Sequence, residues 1–223
     1  MAGQPELLLA HAAWTHYLGE FASQTDDILR SAGIVKLAAI QEEVRNLAQG
    51  QIVFAATEAW RTVYEQLLTS ADLAQYRSVA WLKNEDYWQD TPGKKSMQLN
   101  FELLQRGTRI LRILILDDYF WPPAAALPAT DIRRWIDQQY TQGIEIGLVR
   151  ESEIASETDL LCDLGIYGTR ATGMLETDPQ CRTTRFTFDF SPEGVRMAET
   201  RWNRLSLYAV PYAELLDRAA TSA

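Results

Sequence analysis

The run Ile110–Leu116, ILRILIL, constrains this chain more than any other segment. It is apolar and rich in β-branched residues, too short for an ordinary helix, and it stands between Gly107 and the carboxylate pair Asp117 and Asp118. Such a run reads as a central strand covered on both faces, which requires a sheet with helices on its two sides. Arg109 precedes it and Arg112 interrupts it, and each is expected to escape to an end or an edge.

The segments around this strand supply the helices. Residues 51 to 57, QIVFAAT, form a strand-sized run that passes into a periodic helix with Trp60, Val63, Tyr64, Leu67 and Leu68 on one face. Residues 77 to 84 predict the next strand. An exposed loop follows, with Pro92 and Gly93 as its turn, then a helix from about Lys94 to Arg106 closed by Gly107. After three prolines, Thr130 or Asp131 is placed to cap a helix ending at Gly143, and residues 144 to 149 give a further strand. Three alternations of strand and helix with short connections predict an α/β fold with a mixed, largely parallel sheet, helices on both faces and an N-terminal helical extension.

The C-terminal third changes character, with three further strands of which TRFTFDF alternates polar and apolar residues. Ser191 and Pro192 then open a final helix. Residues 5 to 48 read as two helices broken near Ser23, with Thr25 or Asp26 as the second cap. The division is therefore 1–49, helical extension, and 50–223, α/β domain.

Charge and composition narrow the chemistry. Thirty acidic against twenty-one basic residues give a net charge of -9, which disfavours nucleic acid as a partner. Glu6, His11 and His16 interrupt the apolar N-terminus before membrane-spanning length, so the expectation is a cytoplasmic protein with no membrane partner. Cys162 and Cys181 form no CxxC, and reduced thiols are the default. His11 and His16 are spaced by five, not the four that stacks metal ligands on a helix.

The ends of parallel strands are where ligands usually meet this kind of sheet. Here the candidates are Glu58, Asp117 and Asp118, joined by the loop aromatics Trp88, Tyr119 and Trp121. Exposed aromatics cost solubility unless they cover a pocket or an interface, which makes a binding role for these residues the less common but sharper reading. Asp117 and Asp118 could hold Mg²⁺, since neighbouring carboxylates suit a hard cation, although a solvated turn is the commoner role for such a pair. Asp163, beside Cys162, is expected to point outward.

No phosphate loop, dinucleotide fingerprint, nucleophile elbow or HExxH occurs. The order of elements, the junction from Asn100 to Ile110 (NFELLQRGTRI), the helix ending in QGIEIGLV and the strand with Asp163 and its IYG turn resemble the phospholipase D-like α/β fold in its non-catalytic regulatory versions. Active members use a His-x-Lys-x₄-Asp motif. Two residues after His11 lies Ala13, and two after His16 lies Leu18, so neither histidine begins it. The resemblance implies a non-enzymatic ligand-sensing or regulatory module of bacterial-type intracellular signalling, needing no cofactor and partnered by a small molecule or a protein. Two alternatives stand beside it: a Mg²⁺-dependent enzyme acting on a phosphorylated substrate through Asp117 and Asp118, and an assembly or interaction subunit whose N-terminal helices and exposed aromatics form a protein interface, with a second copy in a homo-oligomer or with a different partner.

Overall fold

A computed structural model describes residues 4–84, 91–178 and 182–221. The chain divides into two compact units, Met1–Ala48 and Gln49–Ala223.

The first unit is a pair of helices, α1 (Pro5–Ala22) and α2 (Asp27–Ala48). Pro5 starts α1, where its missing N–H costs no helical bond. Asp26 caps α2 by accepting a hydrogen bond from the Leu29 amide at 2.8 Å. The ring of Phe21 lies against Gly33, so close that a Cβ there would come within 2.3 Å of it.

The second unit is an α/β fold with one mixed eight-stranded sheet of order β1-β7-β6-β5-β2-β3-β4-β8. Its strands are β1 (Gln51–Ala55), β2 (Gln75–Leu82), β3 (Arg109–Leu116), β4 (Glu145–Arg150), β5 (Asp163–Tyr167), β6 (Ala171–Thr177), β7 (Thr183–Asp189) and β8 (Val210–Pro211). Parallel pairing is concentrated in the centre, β2 with β3 and β3 with β4, and the other described ladders are antiparallel. The helices are α3 (Trp60–Leu68), α4 (Thr91–Gln105), α5 (Thr130–Thr141), α6 (Pro192–Tyr208) and α7 (Tyr212–Thr221). Side chains of α3, α4, α5 and α7 close one core against the sheet, with Tyr76, Leu114, Leu148 and Phe188 beneath them. On the opposite face α6 packs Trp202 and Leu205 over Val79, Ile113 and Ile166. Strand β3 ends in four buried apolar residues, Ile113 to Leu116, because both layers cover it.

Several local expectations give way to tertiary structure. Pro92 and Gly93 fall in the first turn of α4 instead of making a loop turn, a position that tolerates a residue without an N–H. The N-cap of α5 is Ala129, without a side-chain hydrogen bond, rather than Thr130 or Asp131. Ser191 does cap α6, accepting from the Gly194 amide at 3.0 Å. Among the described residues no helix is long and apolar enough to cross a membrane.

Candidate ligand-binding site

Five register neighbours run across the sheet beneath the larger core: Arg112 on β3, Ser78 on β2, Gly165 on β5, Gly173 on β6 and Phe188 on β7. Neighbours at one register position present their side chains to the same face. The two glycines therefore leave the middle of the row without side chains, and a cavity of ≈ 50 Å³ lies over it. Trp60, Tyr76, Tyr167 and Phe186 wall the space, and Arg112, Ser78 and Asp163 supply its polar edges. That volume accommodates a few water-sized groups.

The rings descend to the sheet because the glycines permit it. A Cβ at Gly165 would meet Tyr167 Oη at 2.9 Å, and one at Gly173 would meet the Phe186 ring at 2.9 Å. Tyr167 stacks on Tyr76 with centroids 5.2 Å apart, and Trp60 stacks on Phe186 at 4.3 Å. Tyr64, Tyr76 and Tyr167 form a cluster in mutual ring contact, and Asn100 donates to Tyr64 Oη at 3.1 Å. Burial pushes all three phenols above their ordinary range, so each is a neutral hydroxyl able to donate a proton in a hydrogen bond.

Arg112 is the exceptional group. The expectation that it escapes to an edge is overturned: it lies in the central strand with 7% exposure. Its Nε donates to Ser78 Oγ at 2.9 Å, and Nη1 donates to Gln139 Oε1 and lies 3.6 Å from Met97 Sδ. Gln139, itself buried, is held by its own donation to the Trp135 carbonyl at 3.1 Å. None of the described carboxylates pairs with the guanidinium. Taking a charge out of water costs several kcal/mol even after relaxation, and neutral acceptors offset only part of it. The Trp60 indole N–H is also buried without a hydrogen-bond partner.

The strand-end residues are distributed differently. Glu58 is exposed and pairs with Arg61 at 2.7 Å. Asp117 Oδ1 accepts from the Tyr119 and Phe120 amides at 3.0 and 3.1 Å, closing its own turn, and Asp118 Oδ1 accepts from Ser152 Oγ at 3.0 Å. Tyr119 is exposed. Trp121, read as a loop aromatic facing a ligand, is instead buried in the core: its indole N–H donates to the Ala125 carbonyl and the Arg150 guanidinium lies 3.7 Å from its ring centroid. Trp88 lies outside the described residues. Glu58 and Asp117 share one end of the sheet, but β1 and β3 are five strand steps apart, roughly 24 Å. Glu58 and Asp117 therefore do not meet at one site. Among the described residues no three His, Cys, Asp or Glu side chains group as a metal site.

Asp163 also departs from expectation by pointing inward. It is buried at the start of β5 and its Oδ1 accepts from the Trp81 amide at 3.0 Å, continuing the β2–β5 ladder beyond its last backbone pair. The cavity residues were visible as separate anomalies: an arginine inside ILRILIL, and glycines inside two predicted strands, where a missing side chain marks close approach. Nothing in the sequence aligned them in one register row.

No protein-family model and no curated protein sequence matches the chain. Among solved structures, the phospholipase D family member Nuc from Salmonella typhimurium is 10% identical and superposes with a TM-score of 0.50 over 73% of this chain and 98% of that one. NucT from Helicobacter pylori is 7% identical, with a TM-score of 0.47 over 73% and 98%. TrmBL2, an archaeal chromatin protein, is 9% identical, with a TM-score of 0.44 over 94% and 71%. At such identities a superposition speaks to the fold alone, and the α/β unit has a phospholipase D-like fold.

Proposed function

We propose that the α/β unit is a non-enzymatic regulatory module that senses a small organic anion in the Arg112 cavity. The observation supporting this reading is the guanidinium buried in the central strand with neutral hydrogen-bond partners, Ser78 and Gln139, facing a space walled by rings and hydroxyls and bordered by Asp163, whose Oδ1 is engaged by the Trp81 amide. An anionic oxygen, carboxylate or phosphoryl, would supply the missing counter-charge, with the Tyr76 and Tyr167 hydroxyls as further donors. The apolar part of the ligand would rest on Trp60 and Phe186. The absence of the His-x-Lys-x₄-Asp motif fits binding rather than phosphodiester hydrolysis.

Thermal denaturation tests the reading with acetate, pyruvate, inorganic phosphate and a neutral polyol as separate arms. An anion at one hundred times its Kd stabilises a one-site protein by about 2.7 kcal/mol, which for a unit of this size is roughly 5–10 °C in Tm. Arg112→Met should abolish that shift, and the carboxylate and phosphate arms separate the two sources of anionic oxygen. An equal shift in Arg112→Met, or no shift with any anion at millimolar concentration, removes the proposal.

A further inference from the structure

The two-helix unit carries apolar surface that its own two helices do not cover. Neither α1 nor α2 has a buried residue, and twelve large apolar side chains are exposed, six on each helix. Consecutive members such as Leu7, Leu8 and Leu9 point to different sides of the helix, and of the twelve Trp14, Tyr17 and Leu18 gather on one groove. A groove of ≈ 520 Å³ lies between the helices, lined by Ala10, Ala13, Trp14 and Tyr17 of α1 and by Gly33 and Leu37 of α2. Lys36 is the one charged residue on its lining.

We propose that this groove is closed by α1 of a second copy of the chain, packed antiparallel across a two-fold axis between Ala13 and Trp14. Residues 10, 13, 14 and 17 share one face of the helix. About that axis Ala10 faces Tyr17 of the second copy and Ala13 faces its Trp14, so each ring meets a methyl group on both sides of the contact. This small-against-large pattern is self-complementary, as an isologous interface requires. Two-fold symmetry also brings identical segments together, so like charges near the axis would repel. From Leu7 to Gly19 the helix has no Asp, Glu, Lys or Arg. The product is a four-helix arrangement built from two hairpins. It stands independently of the Arg112 cavity, which lies wholly in the other unit.

Sedimentation equilibrium of the full chain at pH 8 reads the association directly. The expected mass is that of a dimer of the 25.3 kDa chain. Trp14→Glu should raise the dissociation constant by at least about a hundredfold, as loss of a central aromatic anchor does, while the melting of the α/β unit stays unchanged. Ala13→Cys, beside the axis, should form an intermolecular disulfide under mild oxidation that the wild-type chain does not form. A monomeric wild type at 100 μM overturns the proposal, as does a dimer that survives Trp14→Glu. Failure of Ala13→Cys to cross-link a dimeric chain overturns the register.

Discussion

Replacing Gly165 with alanine tests whether the tyrosine cluster rests on the sheet as described. The new Cβ would stand 2.9 Å from Tyr167 Oη, 3.1 Å from its Cζ and 3.3 Å from its Cε2. Gly165 does not lie in the left-handed region, so the backbone accepts alanine, and loss of glycine's freedom in the unfolded chain would by itself stabilise by about 0.4–1 kcal/mol. The steric effect opposes this. Tyr167 is fully buried, stacked on Tyr76 and in ring contact with Tyr64 and Phe188, so no rotamer is open to it without displacing another ring. Overpacking of this kind costs about 1–3 kcal/mol, and the disturbed aromatic pairs about 0.5–1.5 kcal/mol more. The net expectation is a loss of roughly 1–4 kcal/mol, read as a lower urea midpoint at unchanged m-value. Tyr167→Phe removes the nearest atom, so the two substitutions together should be less damaging than their sum, with coupling on the order of 1 kcal/mol. A Gly165→Ala protein with the wild-type midpoint, or strict additivity with Tyr167→Phe, would refute the packing described here.

Other perturbations separate architecture from surface. Trp121→Ala should destabilise by about 3–5 kcal/mol in chemical denaturation, because it empties a core position and strips the ring from beneath Arg150, whereas Tyr119→Ala should stay within about 0.5 kcal/mol of wild type. Asp117→Ala removes the acceptor of two amides and should cost on the order of 1 kcal/mol, measured the same way. Burial pushes the Cys162 thiol up to about 12 from 9.0, so it should alkylate slowly at pH 8 by peptide mass mapping. Between these two values the folded state holds a proton that the unfolded state has released, so this contribution to stability is lost as pH rises through that window. At the acid end, Tyr208 donates to Glu157 and Arg204 donates to both Glu157 and Asp159, holding both carboxyls below their ordinary range. Their stabilisation is present above the unfolded-state pKa values and fades as pH falls through the folded ones; an Arg204→Ala protein whose acid unfolding midpoint matches wild type would contradict that assignment.

Local chemistry made much of the architecture legible. ILRILIL announces a doubly covered strand because both faces are apolar, and Ser191-Pro192 announces a helix start because a hydroxyl cap and a residue without an N–H satisfy the same helix end. Strand order was not legible, since β5 pairs with β2 across more than eighty residues and no local preference encodes which edge a returning strand selects. Strand β8 is two residues long, below any periodic signal, yet it seats Tyr212, whose hydroxyl donates to Asp137 at 2.6 Å. The candidate site escaped for the same reason. Strand-end carboxylates stand out in a sequence, but Arg112 gains its meaning from Ser78 and Gln139, 34 and 27 residues away, and from two glycines that meet only in the assembled sheet.

The edge strand β1 carries a temporal consequence. Its described ladder partner is β7, so residues 51–55 are made early and find their mate only after residues 183–189 have been made. At ordinary rates of synthesis that interval lasts on the order of ten seconds. Throughout it Ile52 and Phe54 lack the Phe186 and Phe188 side chains of their partner strand. Closing so long a loop is slow, which places β1 among the last strands to join the sheet. On the ribosome, the α/β unit is therefore sealed from its C-terminal side, and a chain halted before residue 183 would carry an unpaired β1.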